Sequence, residues 1–195
     1  MRLFVALDID ESIREKITRY LDGVREFAPD ARWVRPESLH LTLKFIGEKS
    51  DEEVERIKSA LGTIETGIVE LTVRGYGFFP DARAPRVFWI GIEPDAKLTS
   101  LAATVDEKLA AINIPKETHI FNAHLTLARG AGGSASPRWR KADGPNRTFQ
   151  RLQEKLSARP APEFGTMTVR EFYLYRSQTS PGGSRYTKLA EFPLH

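Results

Sequence analysis

The chain has 195 residues, a formal net charge of +3 and 41% hydrophobic residues, enough apolar material for a real core in one domain or two small lobes, and too much for a disordered chain. It contains no cysteine, which excludes disulfides, a thiolate nucleophile and cysteine-ligated zinc or iron–sulfur sites. No stretch approaches the ~20 apolar residues of a membrane span, and the opening segment lacks a signal-peptide pattern, so a cytoplasmic protein is expected.

Residues 2–8 read as a buried strand. Ser12 and Glu15 have the spacing of a capping box. Ile13, Ile17, Leu21, Val24 and Phe27 follow at helical intervals, with Pro29 where a helix should stop. Trp33-Val34 and residues 38–46 read as strands, the second closed by Gly47. Ser50 and Glu53 open a second capped helix carrying Val54, Ile57, Leu61 and Ile64. Residues 68–79 and 86–92 read as a strand pair joined by a turn between Pro80 and Pro85. A helix is expected from about Asp95 to Ile112, with Leu98, Leu101, Val105, Leu109 and Ile112 on one face, and a strand at 123–128. Residues 130–147, rich in Gly, Ser, Pro and Arg and without periodicity, read as a long loop. A short helix near 148–157 and two strands, about 163–175 and 185–193, close the chain.

This mixed order, with strands often adjacent in pairs, predicts an α+β fold with antiparallel sheets and flanking helices, and not a doubly wound parallel sheet. One phrase occurs twice: His40-Leu41-Thr42-Leu43 recurs as His124-Leu125-Thr126-Leu127, nearly half the chain later. The expectation is therefore a single domain over residues 1–195, made of two similar lobes whose motif strands meet across a central cleft. Side chains alternate faces along a strand, so His and Thr of each copy share one surface while both leucines point away.

Two such surfaces facing each other supply an acid, a base and two hydroxyl donors. Histidine titrates near neutrality, so a pair can hold one neutral and one protonated ring at working pH. The Thr42 and Thr126 hydroxyls can then bond the non-bridging oxygens of a phosphodiester, where negative charge must be held. The words alone leave open a plainer reading, two core strands whose His and Thr merely face solvent. Metal-assisted hydrolysis fits less well, because neither motif has a carboxylate beside its histidine, although zinc held by both histidines stays open. No phosphate-binding glycine loop and no nucleophile elbow occurs, so neither cofactor nor metal is expected.

Arg129 lies five residues after His124. Strict alternation would put it on the opposite face, unless the strand bends or ends, and Gly130 favours an end. Phe45, at the same offset in the first copy, is expected in the core, as are Trp33 and Trp89. His119 lacks a partner threonine and reads as structural or surface, and the terminal His195 as frayed. Trp139, beside Arg138, Arg140 and Lys141, belongs to a solvated charged loop or to one that touches an RNA strand.

The paired motifs, in His40-Leu41-Thr42-Leu43-Lys44-Phe45-Ile46-Gly47 and His124-Leu125-Thr126-Leu127-Ala128-Arg129, resemble those of the 2H phosphoesterase superfamily. The closer resemblance is to the RNA 2′,3′-cyclic phosphodiesterases, the LigT-like or 2′-5′ RNA ligase family. It extends to Arg2-Leu3-Phe4-Val5-Ala6-Leu7, Arg32-Trp33-Val34, Pro85-Arg86-Val87-Phe88-Trp89-Ile90-Gly91-Ile92 and the ending from Leu174-Tyr175-Arg176-Ser177 to Tyr186-Thr187-Lys188-Leu189. Ala123 departs from it, since many relatives have proline before the second histidine.

The resemblance implies hydrolysis of an RNA terminal 2′,3′-cyclic phosphate to a 2′-phosphate without metal. It implies His124 as general base, His40 as general acid and Arg129 as a stacking partner for the terminal base. The sequence itself does not fix which histidine plays which part. Ligation of 2′-5′ ends resembles the reverse reaction. The expected partners are RNA 3′ ends or nucleotides bearing 2′,3′-cyclic phosphate, with no membrane and a monomeric protein. The alternatives are a 2H enzyme acting on a 2′-5′ linked oligonucleotide or small cyclic nucleotide, and a catalytically idle RNA-binding module.

Overall fold

The structure, a computed structural model, describes residues 1–130 and 147–195. The interior of the expected loop, with Arg138, Trp139, Arg140 and Lys141, lies outside the described residues. The chain runs β1 (Arg2–Leu7), α1 (Glu11–Val24), β2 (Arg32–Trp33), β3 (Leu41–Glu48), α2 (Asp51–Leu61), β4 (Val69–Phe79), β5 (Val87–Ile92), α3 (Ala96–Ala110), β6 (His124–Arg129), α4 (Gln150–Ser157), β7 (Glu163–Val169), β8 (Glu171–Ser180) and β9 (Gly183–Pro193). Two antiparallel sheets result, in the orders β3-β1-β8-β9 and β2-β6-β5-β4-β7.

Local chemistry accounts for most boundaries. The Ser50 backbone N–H donates to Glu53 Oε2 at 2.8 Å and Glu53 N–H to Ser50 Oγ at 3.3 Å, so the capping box of α2 forms in full. The expected box at Ser12 and Glu15 does not form. Arg14 N–H already reaches Asp10 O at 2.9 Å, so the helix starts at Glu11 and Ser12 sits inside its first turn. The apolar stripe of α1 buries Ile13, Ile17, Leu21 and Val24, and the helix packs against β7. α3 touches both β3 and β4. Residues of both sheets and all four helices join one continuous core.

The segment expected as one strand over 163–175 is two. β7 pairs with β4 in one sheet and β8 with β1 in the other, with the crossing at Arg170. Beyond it Phe172 and Leu174 continue the main core begun by Met167 and Val169, while Tyr173 and Tyr175 are buried in a separate cluster with Phe4 and Ala6.

Both motif strands carry a bulge at the same place. Val5 pairs with Lys44 and Ala6 with Thr42, so Leu43 is an extra residue in β3. Phe88 pairs with Ala128 and Trp89 with Thr126, so Leu127 is extra in β6. A bulge lets two successive residues face one side and reverses the parity beyond it. Leu43 and Lys44 are both buried, as are Leu127 and Ala128.

The bulge therefore drives the Lys44 side chain into the interior, where 2% of the residue is exposed. Its ammonium donates to Asp106 Oδ1 of α3 at 2.5 Å and to Pro115 O at 2.8 Å, and Asp106 also accepts the Glu117 backbone N–H at 3.1 Å. The first motif strand is thus tied to α3 and to the segment that leads into β6. A buried cation stripped of its partner is costly. Asp106→Ala should therefore lower unfolding free energy in urea by about 3 kcal/mol. Lys44→Met should cost clearly less, because the Asp106 side chain is 20% exposed and keeps water and the Glu117 N–H. Equal losses would contradict this asymmetry.

Candidate active site

β3 and β6 approach each other where the two sheets meet. His40 immediately precedes β3 and His124 opens β6. The two rings are held alike. His40 Nδ1 lies 2.7 Å from Ser38 O and His124 Nδ1 lies 2.7 Å from Asn122 O. A carbonyl oxygen only accepts, so each Nδ1 carries the proton and donates it, which leaves each Nε2 as the nitrogen free to take or give a proton.

Aromatic rings wall both histidines. Phe4 lies 4.8 Å from His40 between ring centroids, with Tyr186 edge-on at 5.0 Å. Phe79 stands edge-on to His124 at 4.9 Å, with Trp89 at 6.1 Å. The resulting burial draws both imidazoles below their ordinary pKa, against the pull of the Ser38 and Asn122 carbonyls and, for His40, of Asp8. The Arg129 cation adds to the depression of both rings, and His124 to that of His40. One guanidinium and two imidazoles therefore share one electrostatic site.

The bulge at Leu127 turns Arg129 onto the face of His124 and Thr126, so the strand bends where strict alternation would have put it opposite. Burial lowers the Arg129 pKa, Tyr186 opposes this, and Arg32 and Arg2 reinforce it. Thr42 and Thr126 are half-buried. Among the described residues neither hydroxyl has a protein partner, so both are free to meet a ligand.

Phe45 corrects the expectation of a core residue. The bulge at Leu43 turns it to the His40 face, where it is 60% exposed and 6.2 Å from Phe4. Trp89 is likewise not simply core, because it is half-buried beside His124. Its indole lies so close over Gly77 that any Cβ there would collide with the ring. Trp33 packs against the core as expected, its Nε1 donating to Ala28 O at 3.0 Å. His119 is exposed. His195 is not frayed, because its backbone N–H bonds Thr66 O at 2.9 Å. Phe4, Phe79, Tyr175 and Tyr186 were not foreseen. They reach the site through strand pairing, and no spacing within their own segments marks them.

Among the described residues no group of three or more His, Asp or Glu side chains is placed to hold a metal. No described helix is long and apolar enough to cross a membrane.

The LigT like phosphoesterase family model matches residues 7–89 and again residues 90–186, one repeat for each motif. The chain belongs to this family. An RNA 2′,3′-cyclic phosphodiesterase of Archaeoglobus fulgidus is 36% identical over 98% of this chain and 99% of its own length. One of the same name from Methanothermobacter thermautotrophicus is 31% identical over 100% and 99%. Among solved structures, E. coli LigT complexed with 3′-AMP superposes with a TM-score of 0.76 at 30% identity, covering 99% of this chain and 97% of that one.

A LigT-like site working through one neutral and one charged imidazole has its pH range set by both rings. The acidic limb marks where the base gains its proton, and the alkaline limb where the acid loses its own. Both pKa values lie below the ordinary 6.5, so kcat/KM should trace a bell centred below pH 6.5. Arg129→Gln removes a cation that depresses both rings and should move both limbs to higher pH. A maximum above pH 7.5 in the wild type, or limbs unmoved in the variant, would contradict this.

Proposed function

We propose that this chain hydrolyses the 2′,3′-cyclic phosphate at an RNA 3′ end to a 2′-phosphate, with its two lobes acting as one catalytic domain. The observation that carries the reading is the duplicated His-x-Thr, with the same Nδ1 tether and the same bulge in each copy. The names of the relatives and the nucleotide held by E. coli LigT support the substrate class.

A cyclic phosphodiester opens by in-line attack, with water and the leaving oxygen at opposite apices of phosphorus. His124 Nε2 takes the proton from water as the new P–O bond forms. His40 Nε2 gives its proton to the 3′ oxygen as the old P–O bond breaks. The Thr42 and Thr126 hydroxyls donate to the non-bridging oxygens, which carry more negative charge in the pentacoordinate state than in the substrate. Arg129 stacks its guanidinium on the terminal base. With a 5′-hydroxyl in place of water as the attacking group, the same base and acid would form a 2′-5′ linkage as the P–O3′ bond breaks and the 3′ oxygen takes the His40 proton. Neither step calls for a metal. The protein is read as a monomer of the cytoplasm with no membrane partner.

Oligonucleotides ending in 2′,3′-cyclic phosphate should be opened in excess EDTA, with the 2′-phosphate as sole product isomer. His40→Ala and His124→Ala should each lose at least ~10²-fold in turnover, and the double variant far less than the product of the two losses. Thr42→Ala and Thr126→Ala should each lose about 1.5–3 kcal/mol of transition-state stabilisation, mostly restored by serine. An inert wild type that still binds these ends would favour the idle RNA-binding module.

A further inference from the structure

A cavity of about 510 Å³ opens beside His40. His40 and Tyr186 line it, their rings edge-on at 5.0 Å. Its lining brings four cations, Arg14, Arg35, Arg185 and Lys188, against two carboxylates, Asp8 and Glu37. Asp8 is already neutralised: it accepts from Arg14 at 2.9 Å and from Lys188 at 2.6 Å. Burial works to raise its pKa, but the Lys188 and Ile9 hydrogen bonds and the two cations hold it below the usual carboxylate value, so it stays ionised and paired.

The cation excess falls on Arg35 and Arg185. Arg35 spends one donor on Gly182 O at 2.6 Å, at the turn between β8 and β9. A Cβ on Gly182 would meet that guanidinium at 2.7 Å, so the glycine lets the hairpin tip close onto Arg35. Four of its five N–H groups stay uncommitted. Arg185, on the edge strand β9, has no ion-pair partner among the described residues. The adjoining groove along α1 has the opposite balance, with Glu11, Glu15 and Glu37 against Arg14 and Arg19. An anion is therefore drawn to the end of the surface beside His40.

We propose that this cavity is a subsite for a second phosphate, the group on the 5′ oxygen of the nucleoside whose cyclic phosphate lies between the histidines. The inference rests on the phosphodiesterase reading, since the ribose that presents a 2′,3′-cyclic phosphate to His40 carries its 5′ oxygen one nucleotide step away. Bidentate guanidinium contacts suit a phosphoryl oxygen pair. The phosphate belongs either to a 5′-phosphorylated mononucleotide or to the diester linkage of an RNA strand, and the chemistry of recognition is the same.

Equilibrium binding separates the subsite from the reaction. Adenosine 2′-phosphate, adenosine 2′,5′-bisphosphate and a diadenylate ending in 2′-phosphate are titrated into the wild type, Arg185→Gln and Arg185→Lys proteins. Hydrolysis of the three corresponding cyclic phosphates is measured alongside. The wild type should bind both second-phosphate ligands about tenfold more tightly than adenosine 2′-phosphate, the scale of one charged contact. That preference should vanish in Arg185→Gln, persist in good part in Arg185→Lys, and weaken with salt by a log–log slope of roughly 0.7 for one phosphate. Tight binding of the diadenylate alone would assign recognition to the second nucleoside and overturn the proposal. An equal loss on all three ligands in Arg185→Gln would overturn it too, by placing Arg185 on the reacting phosphate. Turnover without any affinity difference would remove only the subsite, whereas the affinity difference without turnover would uphold the subsite and remove the phosphodiesterase reading.

Discussion

Each motif strand gains one residue at the third position after its histidine, and the composition of the cleft follows from that insertion. Without it, strict alternation would bury the fifth residue and expose the fourth. With it, Leu43 and Lys44 turn inward together, as do Leu127 and Ala128, and Phe45 and Arg129 join the threonines on the surface shared with the histidines. The two copies then diverge at that one position. One strand presents an apolar ring and the other a planar cation. The inward partner diverges as well: Ala128 fills space, whereas Lys44 brings a charge that Asp106 and Pro115 O satisfy, with Glu117 Oε1 at 4.0 Å.

The histidines are equivalent in their tethers and unequal in their surroundings. Each is fixed through Nδ1 by the carbonyl two residues before it, which sets tautomer and orientation without a carboxylate. His40 feels Asp8 raising its pKa, while His124 has no such neighbour acting on it. Burial, Arg129 and His124 act against Asp8 there, and the pKa of His40 lies below the ordinary value all the same. The Asp8 carboxylate is in turn held by Lys188 and Arg14, so these cations also bear on the His40 ring.

Much of this was legible in the sequence. The repeated His-Leu-Thr-Leu, the apolar stripes of α1 to α3 and the Ser50–Glu53 box are local patterns, and local patterns fix local structure. The bulges were not legible, because His40 to Phe45 and His124 to Arg129 contain no glycine or proline to mark an inserted residue. Phe45 was misplaced for that reason alone. The crossing at Arg170 was hidden by an unbroken run of strand-forming residues. The aromatic wall of Phe4, Tyr175 and Tyr186 depends on β1, β8 and β9 lying side by side, which no single segment encodes. The resemblance to a known family supplied the division of labour between the rings, which the residues alone left open.

That division is tested most directly by replacing the 3′ bridging oxygen of the cyclic phosphate with sulfur. A thiolate leaves without protonation, so a missing general acid ceases to matter while a missing general base still does. His40→Ala should recover most of its lost turnover on the 3′-thio substrate, and His124→Ala none. Recovery by His124→Ala with none by His40→Ala would reverse the roles, and recovery by neither would show that His40 does not act by donating a proton to the leaving oxygen.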